Sequence, residues 1–296
     1  MQHNPWIVVK TQSEAEEARQ DIGSSTVICM DTEYDSLRYF REKLCLIQIR
    51  ADRKTYLFDP LGNLDLSFLG QYFAAPSLLK VVHAGDNDIR ILKRDYGFIF
   101  KNIFDTYRAA SLLGSSHLSL VNVVGQYLGI EFEKKKKMQR SRWDLRPLTE
   151  EQLHYAALDT AHLPDLYHRL EEELQQAGLG DEAARIFADM TKIKWHKKDL
   201  DNDGYKKIAR YYTLTDTQKE RLKHLFRWRY GKAKEINRAI FMILSDQDLV
   251  LLSALEVDSV NELKERGLLP GEKLHLFGAE LVDLLGGYRE NTGLLS

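Results

Sequence analysis

Residues 26–50 read TVICMDTEYDSLRYFREKLCLIQIR, and this stretch decides the class of fold. Two apolar runs rich in β-branched residues, TVICMD (26–31) and KLCLIQIR (43–50), flank a polar segment, which predicts two β-strands joined by a loop. KTYLFDP (54–60) follows a charged turn and predicts a third strand. Three strands this close in sequence indicate an antiparallel meander.

The segments that follow alternate between helix and strand. The pattern predicts a helix around Leu66–Phe73, a strand at 80–84 (KVVHA), a helix from Asp86 to about Tyr96 and a short strand at 102–105 (NIFD). Such alternation is typical of parallel strands. We therefore expect an α/β domain whose mixed sheet joins the meander to parallel strands on its far side.

The chain after residue 106 is predicted to be mainly helical. Thr149 and Gln152 form a capping-box signature after Pro147, which predicts one helix from about Glu150 to Gln175. The segment 192–212 is rich in charge and lacks a long apolar period, so it predicts an interdomain connection. Apolar residues then recur at helical spacing in runs such as LFGAELVDLLGGY. We predict a domain at 1–191, a linker at 192–210 and a small all-helical domain at 211–296.

The composition describes an ordinary soluble globular protein, since 44% of the 296 residues are hydrophobic and 29% are charged, with a net charge of −2. No run approaches the roughly 20 apolar residues that span a bilayer, and the first residues lack a basic and apolar leader. We expect a cytoplasmic protein with no membrane association. Cys29 and Cys45 lie in apolar runs without a partner at metal-ligand spacing, which predicts buried, reduced thiols.

Two acidic residues end the first predicted strand. Asp31 and Glu33 are separated by one residue, and the period of two of a strand places both side chains on one face. A DxE triplet by itself is more often a solvated turn. Here the apolar VICM run predicts a buried strand, so the two carboxylates project from its end, where sites in α/β sheets tend to lie. We interpret them as candidate metal ligands.

Three further residues are candidates for the same site. Asp88 lies in the first turn of the helix after KVVHA, where Asp86 is the better candidate for helix capping. Tyr155 and Asp159 are four residues apart on the capped helix and share one face. An acid and a phenol at this spacing are more often surface residues. The small Ala156-Ala157 pair between them, however, allows the helix to approach the sheet closely.

Five segments resemble, in order, the exonuclease motifs of the ribonuclease D branch of the DEDDy superfamily: DTEYD with LCLIQI downstream, HAGDNDIRIL, IFDTYRAASLL, RSRWDLRPL and YAALDTAHLPDLY. The resemblance covers about residues 5–175 and implies a ribonuclease H-like fold. It implies that Asp31 and Glu33 match the first motif, Asp88 the second, and Tyr155 and Asp159 the third. A later segment, FRWRYGKAKEINRAIFMILSDQDLVLLSAL, resembles a single HRDC domain over about residues 211–287.

The resemblance implies a two-metal-ion 3′→5′ exoribonuclease that releases nucleoside 5′-monophosphates from RNA 3′ ends in RNA processing or turnover. Carboxylate oxygens suit Mg²⁺ or Mn²⁺, and two such ions can clamp the attacking and leaving oxygens of a phosphodiester. We expect Asp31 to bridge both ions, Glu33 and Asp159 to complete the first, and Asp88 to hold the second. Tyr155 is expected to orient the attacking water, since a pKa of about 10 makes a phenol a poor base.

The basic segment after residue 133 is a candidate substrate-binding loop. Lys136, Arg140 and Arg142 are candidates for contacts with RNA phosphates, and Trp143 for stacking on a base, although a solvated charge run is the commoner fate of such a segment. The expected partners are single-stranded RNA 3′ ends, tRNA precursors among them. A monomer is favoured.

Two polar residues near the candidate site are interpreted as structural. His83 stands at a strand end, where a histidine more often packs and hydrogen-bonds than acts in catalysis. Asp105, in IFDT, is interpreted as a supporting residue or a helix cap.

Two alternative functions stay open on the sequence. The first is the same chemistry on DNA, because no residue pattern here measures sugar preference. The second is a non-catalytic RNA-binding scaffold that keeps the fold. The full set of five site residues argues against a scaffold, since crowded carboxylates without metal repel one another.

Overall fold

The computed structural model describes residues 6–133, 136–197 and 199–286, apart from the side chain of Lys136. The chain forms two compact units. The first unit holds the chain up to Asp35 and Glu42–His196, and the second holds Ser36–Arg41 and the chain from Lys197 onward. Six of the eleven residues between the first two predicted strands therefore belong to the second unit.

A mixed sheet forms the centre of the first unit. Its strands are β1 (Trp6–Val9), β2 (Val27–Asp35), β3 (Lys43–Ala51), β4 (Lys54–Phe58), β5 (Leu79–Val82) and β6 (Ile103–Asp105). In the described residues they lie in the order β1-β4-β3-β2-β5-β6. The pairs β2–β3 and β3–β4 are antiparallel, whereas β1, β5 and β6 each run parallel to a neighbour. The predicted meander and parallel strands are confirmed. β1 was not predicted from the sequence, because four residues carry too little periodicity.

Helices cover both faces of this sheet. They are α1 (Gln12–Ser24), α2 (Leu69–Ala74), α3 (Asp86–Tyr96), α4 (Thr106–Leu112), α5 (Leu120–Leu128), α6 (Lys136–Gln139), α7 (Glu150–Ala161), α8 (Leu163–Gln176) and α9 (Gly180–Met190). The helix predicted from Asp86 to Tyr96 is confirmed as α3. It ends at Gly97, which adopts the left-handed conformation at φ 68° that glycine accepts without strain.

The prediction of one helix over 150–175 is wrong, because α7 and α8 are separate helices with His162 between them. Pro164 lies in the first turn of α8. It has no backbone N–H to donate the hydrogen bond that would continue α7, and in one continuous helix its ring would clash with the carbonyl of Thr160. The predicted capping box is confirmed. The backbone N–H of Gln152 donates to Thr149 Oγ1 at 3.2 Å, and the backbone N–H of Thr149 donates to Gln152 Oε1 at 2.9 Å. The break leaves α7 as a short helix that packs on β2, β3 and β4.

A small apolar cluster lies where α7 meets the sheet. Its buried members are Cys45, Leu46, Leu57, Met138, Trp143, Tyr155 and Ala156. A larger cluster includes Ile28, Ile47, Ile49 and Phe58 from the same strands. Both cysteines are free and buried, as predicted, and burial raises the pKa of Cys45 to about 12.

The second unit is helical throughout residues 199–286, which confirms the predicted all-helical domain. Two short 3-10 turns (Gly204–Lys207 and Tyr211–Thr213) precede α10 (Asp216–Glu235), α11 (Ile240–Ile243), α12 (Asp246–Ser253), α13 (Val260–Glu265) and α14 (Gly271–Gly286). The segment Ser36–Arg41 pairs with the turn after α10. The Ala239 amide donates to the Arg38 carbonyl at 3.0 Å, and the Arg41 amide donates to Asn237 Oδ1 at 2.9 Å.

No helix in the described ranges is both long enough and apolar enough to span a membrane.

Candidate active site

Three of the predicted site residues meet beside the C-terminal half of β2, which continues to Asp35 and does not end at residue 31 as predicted. Single carboxylate oxygens of Asp31, Glu33 and Asp159 all lie within 4.8 Å of one another. Asp31 and Glu33 reach this point from one strand, and Asp159 reaches it from α7, which packs across β2 and β3. Close packing of α7 thus joins two acidic motifs that are far apart in the sequence.

The three carboxylates are partly withdrawn from water. Glu33 and Asp159 are 9% and 5% exposed, and Asp31 is half-buried. Two like charges about 4 Å apart repel by on the order of 4 kcal/mol at an effective dielectric of about 20. A divalent cation would remove this repulsion, and carboxylate oxygens are the ligands that Mg²⁺ and Mn²⁺ prefer. The donor set therefore fits a divalent metal.

Asp88 stands beside this group rather than within it. It lies in the first turn of α3 and is 6% exposed. The Thr32 hydroxyl, from the residue between Asp31 and Glu33, donates to Asp88 Oδ1. Burial, with the nearby Asp31 carboxylate as the second cause, raises the pKa of Asp88 to about 8. Without a cation, this carboxyl is therefore held close to its neutral form.

Tyr155 is buried next to the same carboxylates. Its ring packs against Trp143 with the centroids 6.0 Å apart, and the residue is 6% exposed. Burial raises the pKa of Tyr155 above its ordinary value, and the charges of Glu33 and Asp31 raise it further. The phenol therefore keeps its proton at neutral pH and can orient a water molecule but cannot serve as a base.

The prediction that Asp86 caps α3 is wrong. Gly85 occupies the cap position without a side-chain bond, and both oxygens of Asp86 accept from Arg108 Nη2 at 2.8 Å.

Asp105 is the N-cap of α4, which is one of the two roles predicted for it. It begins α4 by accepting from the Tyr107 amide at 2.8 Å, and it also accepts from the Gly85 amide at 3.0 Å. Asp105 thereby fixes the turn between β5 and α3 that precedes Asp88.

His83 has a structural environment, as predicted. Its Nδ1 is hydrogen-bonded to Thr106 Oγ1 at 2.9 Å, and its Nε2 lies 3.0 Å from the Leu118 carbonyl. The ring therefore ties the end of β5 to α4 and to the loop before α5.

The predicted stacking role of Trp143 is wrong. The side chain is 1% exposed, and its indole N–H donates to the Met138 carbonyl at 3.0 Å. The indole fills the apolar cluster beneath α7, so no base can reach its face. Arg142 is exposed and pairs with Asp144 at 2.8 Å. Arg140 is also exposed. The side chain of Lys136 lies outside the described residues.

Arg146 is a supporting residue that the sequence analysis missed. It donates to both carboxylate oxygens of Asp59 at 2.5 Å and to the carbonyls of Cys45 and Trp143 at 2.7 Å. These bonds hold the loop before α7 against β3 and the end of β4. No local pattern of the sequence marks these contacts, because they join residues about 90 to 100 positions apart.

Both parts of the chain are similar to known protein families. The chain matches a family model described as 3′-5′ exonuclease over residues 6–175 and one described as HRDC domain over residues 218–285. It is 31% identical over 267 residues to ribonuclease D of Shewanella sp. (strain ANA-3), and the aligned region covers 88% of this chain and 67% of that protein. It is 30% identical over 258 residues to the exosome complex component 10 homolog of Caenorhabditis elegans, which covers 86% of this chain and 29% of that protein.

The fold has a counterpart among solved structures. The catalytic core of RRP6 from Trypanosoma brucei matches with a TM-score of 0.84 at 23% identity, over 99% of this chain and 81% of that one. This likeness shows that the chain has the same fold as that catalytic core.

A mixed sheet that carries a cluster of carboxylates on a central strand is typical of a metal-dependent nuclease. The chain belongs to the 3′-5′ exonuclease family and carries an HRDC domain. It spans under a third of the exosome component relative and about two thirds of the ribonuclease D relative.

Proposed function

We propose that this chain is a 3′→5′ exoribonuclease that releases nucleoside 5′-monophosphates from RNA 3′ ends, in RNA processing or turnover. The observation that carries the proposal is the approach of Asp31, Glu33 and Asp159 to within 4.8 Å, with Asp88 beside them. A scaffold that only binds RNA gains nothing from such crowding. The names of the ribonuclease D and exosome relatives support RNA as the substrate.

The proposed cofactors are two divalent ions, Mg²⁺ or Mn²⁺. Asp31 would contact both, Glu33 and Asp159 would complete the first site, and Asp88 would serve the second. Bound ions of this kind supply positive charge to the phosphate and acidify a water molecule. The clustered carboxylates hold that charge in place, and the Thr32 hydroxyl fixes one oxygen of Asp88.

The other side chains position the reactants. The protonated Tyr155 hydroxyl orients the water that attacks phosphorus. The P–O3′ bond then breaks, and the products are a nucleoside 5′-monophosphate and a chain whose new 3′ oxygen has taken a proton. Lys136, Arg140 and Arg142 are proposed phosphate contacts, whereas the buried Trp143 supports their loop from beneath. The proposed substrates are single-stranded RNA 3′ ends, tRNA precursors among them, and the proposed active form is a monomer.

The test uses purified protein with 5′-labelled RNA and DNA oligonucleotides of the same sequence, in Mg²⁺, in Mn²⁺ and in excess chelator. We expect stepwise shortening of the RNA from its 3′ end, with no cleavage in chelator. A circular RNA is the control substrate, because it has no 3′ end. Cleavage of the circular RNA, or undiminished hydrolysis in chelator, would contradict the proposal. A clear preference for DNA would show that DNA, and not RNA, is the substrate.

A further inference from the structure

Gln48 is a buried amide without a hydrogen-bond partner in the described part of the chain. The residue is 0% exposed, and neither its Oε1 nor its Nε2 is hydrogen-bonded. Buried polar atoms of folded proteins are hydrogen-bonded in about nine cases of ten. An amide with both ends unpaired therefore requires an explanation.

The register of the sheet places Gln48 next to the candidate metal site. Gln48 on β3 is the direct partner of Asp31 on β2 and of Leu57 on β4. Opposed residues of an antiparallel pair point to the same face, with Cβ atoms roughly 4.5–5.5 Å apart. Gln48 therefore lies on the α7 side of the sheet, alongside the carboxylate that would contact both metal ions.

The two neighbours of Gln48 on its own face of β3 are an apolar side chain and a side chain that offers only hydrogen-bond donors. Leu46 and Arg50 lie two residues away on the same face of β3. Leu46 is 0% exposed and belongs to the apolar cluster under α7. Arg50 Nη1 donates to Thr55 Oγ1, although at a long 3.4 Å. Asp31 is thus the acceptor that the register brings closest to the Gln48 amide.

Stability of the metal-free fold does not account for this residue. An apolar side chain of the same length would fill the space without leaving a buried donor and a buried acceptor unpaired. Metal-binding side chains, in contrast, are usually held in orientation by hydrogen bonds from a surrounding layer of residues. An amide N–H next to a metal-binding carboxylate is suited to that task.

We propose that Gln48 is a positioning residue for Asp31. The side-chain amide of Gln48, which has no hydrogen-bond partner among the described residues, would donate to the Asp31 carboxylate when that carboxylate binds a metal ion and so hold it in orientation. The inference rests on the proposed metal site. It predicts that Gln48 contributes to metal affinity while contributing nothing to the metal-free fold.

The experiment compares wild type with Q48M, which keeps the length of the side chain and removes its polar atoms. L46M is the matched control, because Leu46 is equally buried on the same face of β3 and is the direct partner of Glu33. The measurements are the Tm without metal, the Mn²⁺ dissociation constant by calorimetry, the rise in Tm on adding Mn²⁺, and the KM for RNA at saturating Mn²⁺.

We expect Q48M to have a metal-free Tm equal to or above that of wild type. Its Mn²⁺ dissociation constant should rise by roughly ten- to a hundredfold, the range seen when a supporting hydrogen bond at a metal site is removed. Its rise in Tm with Mn²⁺ should shrink, excess Mn²⁺ should restore turnover, and the KM for RNA should stay unchanged. L46M should bind Mn²⁺ as wild type does.

Wild-type Mn²⁺ affinity in Q48M would overturn the inference. So would failure of both Q48M and the second variant Q48L to fold without metal, because the amide would then serve the fold itself. If wild type binds no metal, the proposed metal site fails as a whole. That result can be distinguished from one in which wild type and Q48M bind Mn²⁺ equally well, which would overturn only the role of Gln48.

Discussion

Arg146 donates to both carboxylate oxygens of Asp59 at 2.5 Å, and this ion pair joins the loop before α7 to the end of β4. The same guanidinium donates to the Cys45 carbonyl on β3 at 2.7 Å. One side chain therefore ties the helix that carries Tyr155 and Asp159 to two strands of the sheet. The position of α7 relative to Asp31 depends on this anchor.

We expect R146K to lower the free energy of unfolding by about 1–3 kcal/mol, because lysine cannot form the bidentate contact. Urea denaturation measures this change, and kcat should fall with it as α7 loosens. R169K on α8 is the matched control, since Arg169 pairs with Glu173 at the surface at 2.7 Å. It should lose no more than about 0.5 kcal/mol. Equal losses in the two variants would show that Arg146 is no anchor.

D31N and D159N should each abolish cleavage, because each removes a proposed metal ligand. Their Tm without metal should hold or rise, since one of three crowded negative charges is gone. Cleavage assays and thermal unfolding in chelator measure the two effects. D189N, at an exposed position on α9, is the control and should cleave normally. Near-normal turnover in D31N or D159N would remove that residue from the site.

Y155F should cleave more slowly than wild type but faster than D31N, because only a water-orienting hydroxyl is lost. Its Mn²⁺ affinity should be unchanged. Burial raises the pKa of Tyr155, so the phenol stays protonated across the neutral and mildly alkaline range. The pH–rate profiles of Y155F and wild type should therefore have the same shape up to about pH 10. If one limb of the wild-type pH–rate profile is absent from the profile of Y155F, the phenol is a titrating catalytic group.

Lys80 should make stability depend on pH. Its Nζ donates to the carbonyls of Ala75 and Leu78 at 2.7 and 2.6 Å, and burial lowers the pKa of Lys80 to about 8 from its ordinary 10.5. Between these values the unfolded chain binds more protons than the folded one, so stability rises with pH. The cost of burying the charge is fully present below about pH 8 and is lost above about pH 10.5.

Urea unfolding of wild type and K80M between pH 7.5 and 10 tests this prediction. The difference in unfolding free energy should shift in favour of wild type as the pH rises, by at most about 1.4 kcal/mol per pH unit. A difference that does not change with pH would show that Lys80 has an ordinary pKa in the folded protein.

K234Q should weaken RNA binding. Lys234 is exposed near the end of α10, and its pKa is lowered chiefly by the neighbouring Lys197, with Arg41 as a further cause. Cations gathered in this way favour a phosphate. The slope of log affinity against log salt should fall by about 1 in K234Q. K223Q is the matched control on the same helix, because Lys223 already pairs with Glu220 at 3.1 Å. Equal salt slopes in the two variants would contradict a phosphate contact at Lys234.

The local patterns of the sequence were sufficient to predict several elements. The β2–β4 meander follows from apolar β-branched runs and a charged turn, and α3 follows from its apolar period. The capping box at Thr149 is likewise a short-range signal. The carboxylate motifs could be named from the sequence because each is only a few residues long and follows or belongs to a recognisable element.

Contacts between distant residues were decided by the tertiary structure alone. The burial of Trp143, the anchor formed by Arg146 and the membership of Ser36–Arg41 in the second unit all depend on which surfaces pack together. The pairing of Gln48 with Asp31 depends on strand register. Periodicity reports which face of an element is apolar but not what covers that face. The sequence by itself determined most of the elements and the acidic motifs, and the packing of α7 on the sheet determined which of those acidic residues meet.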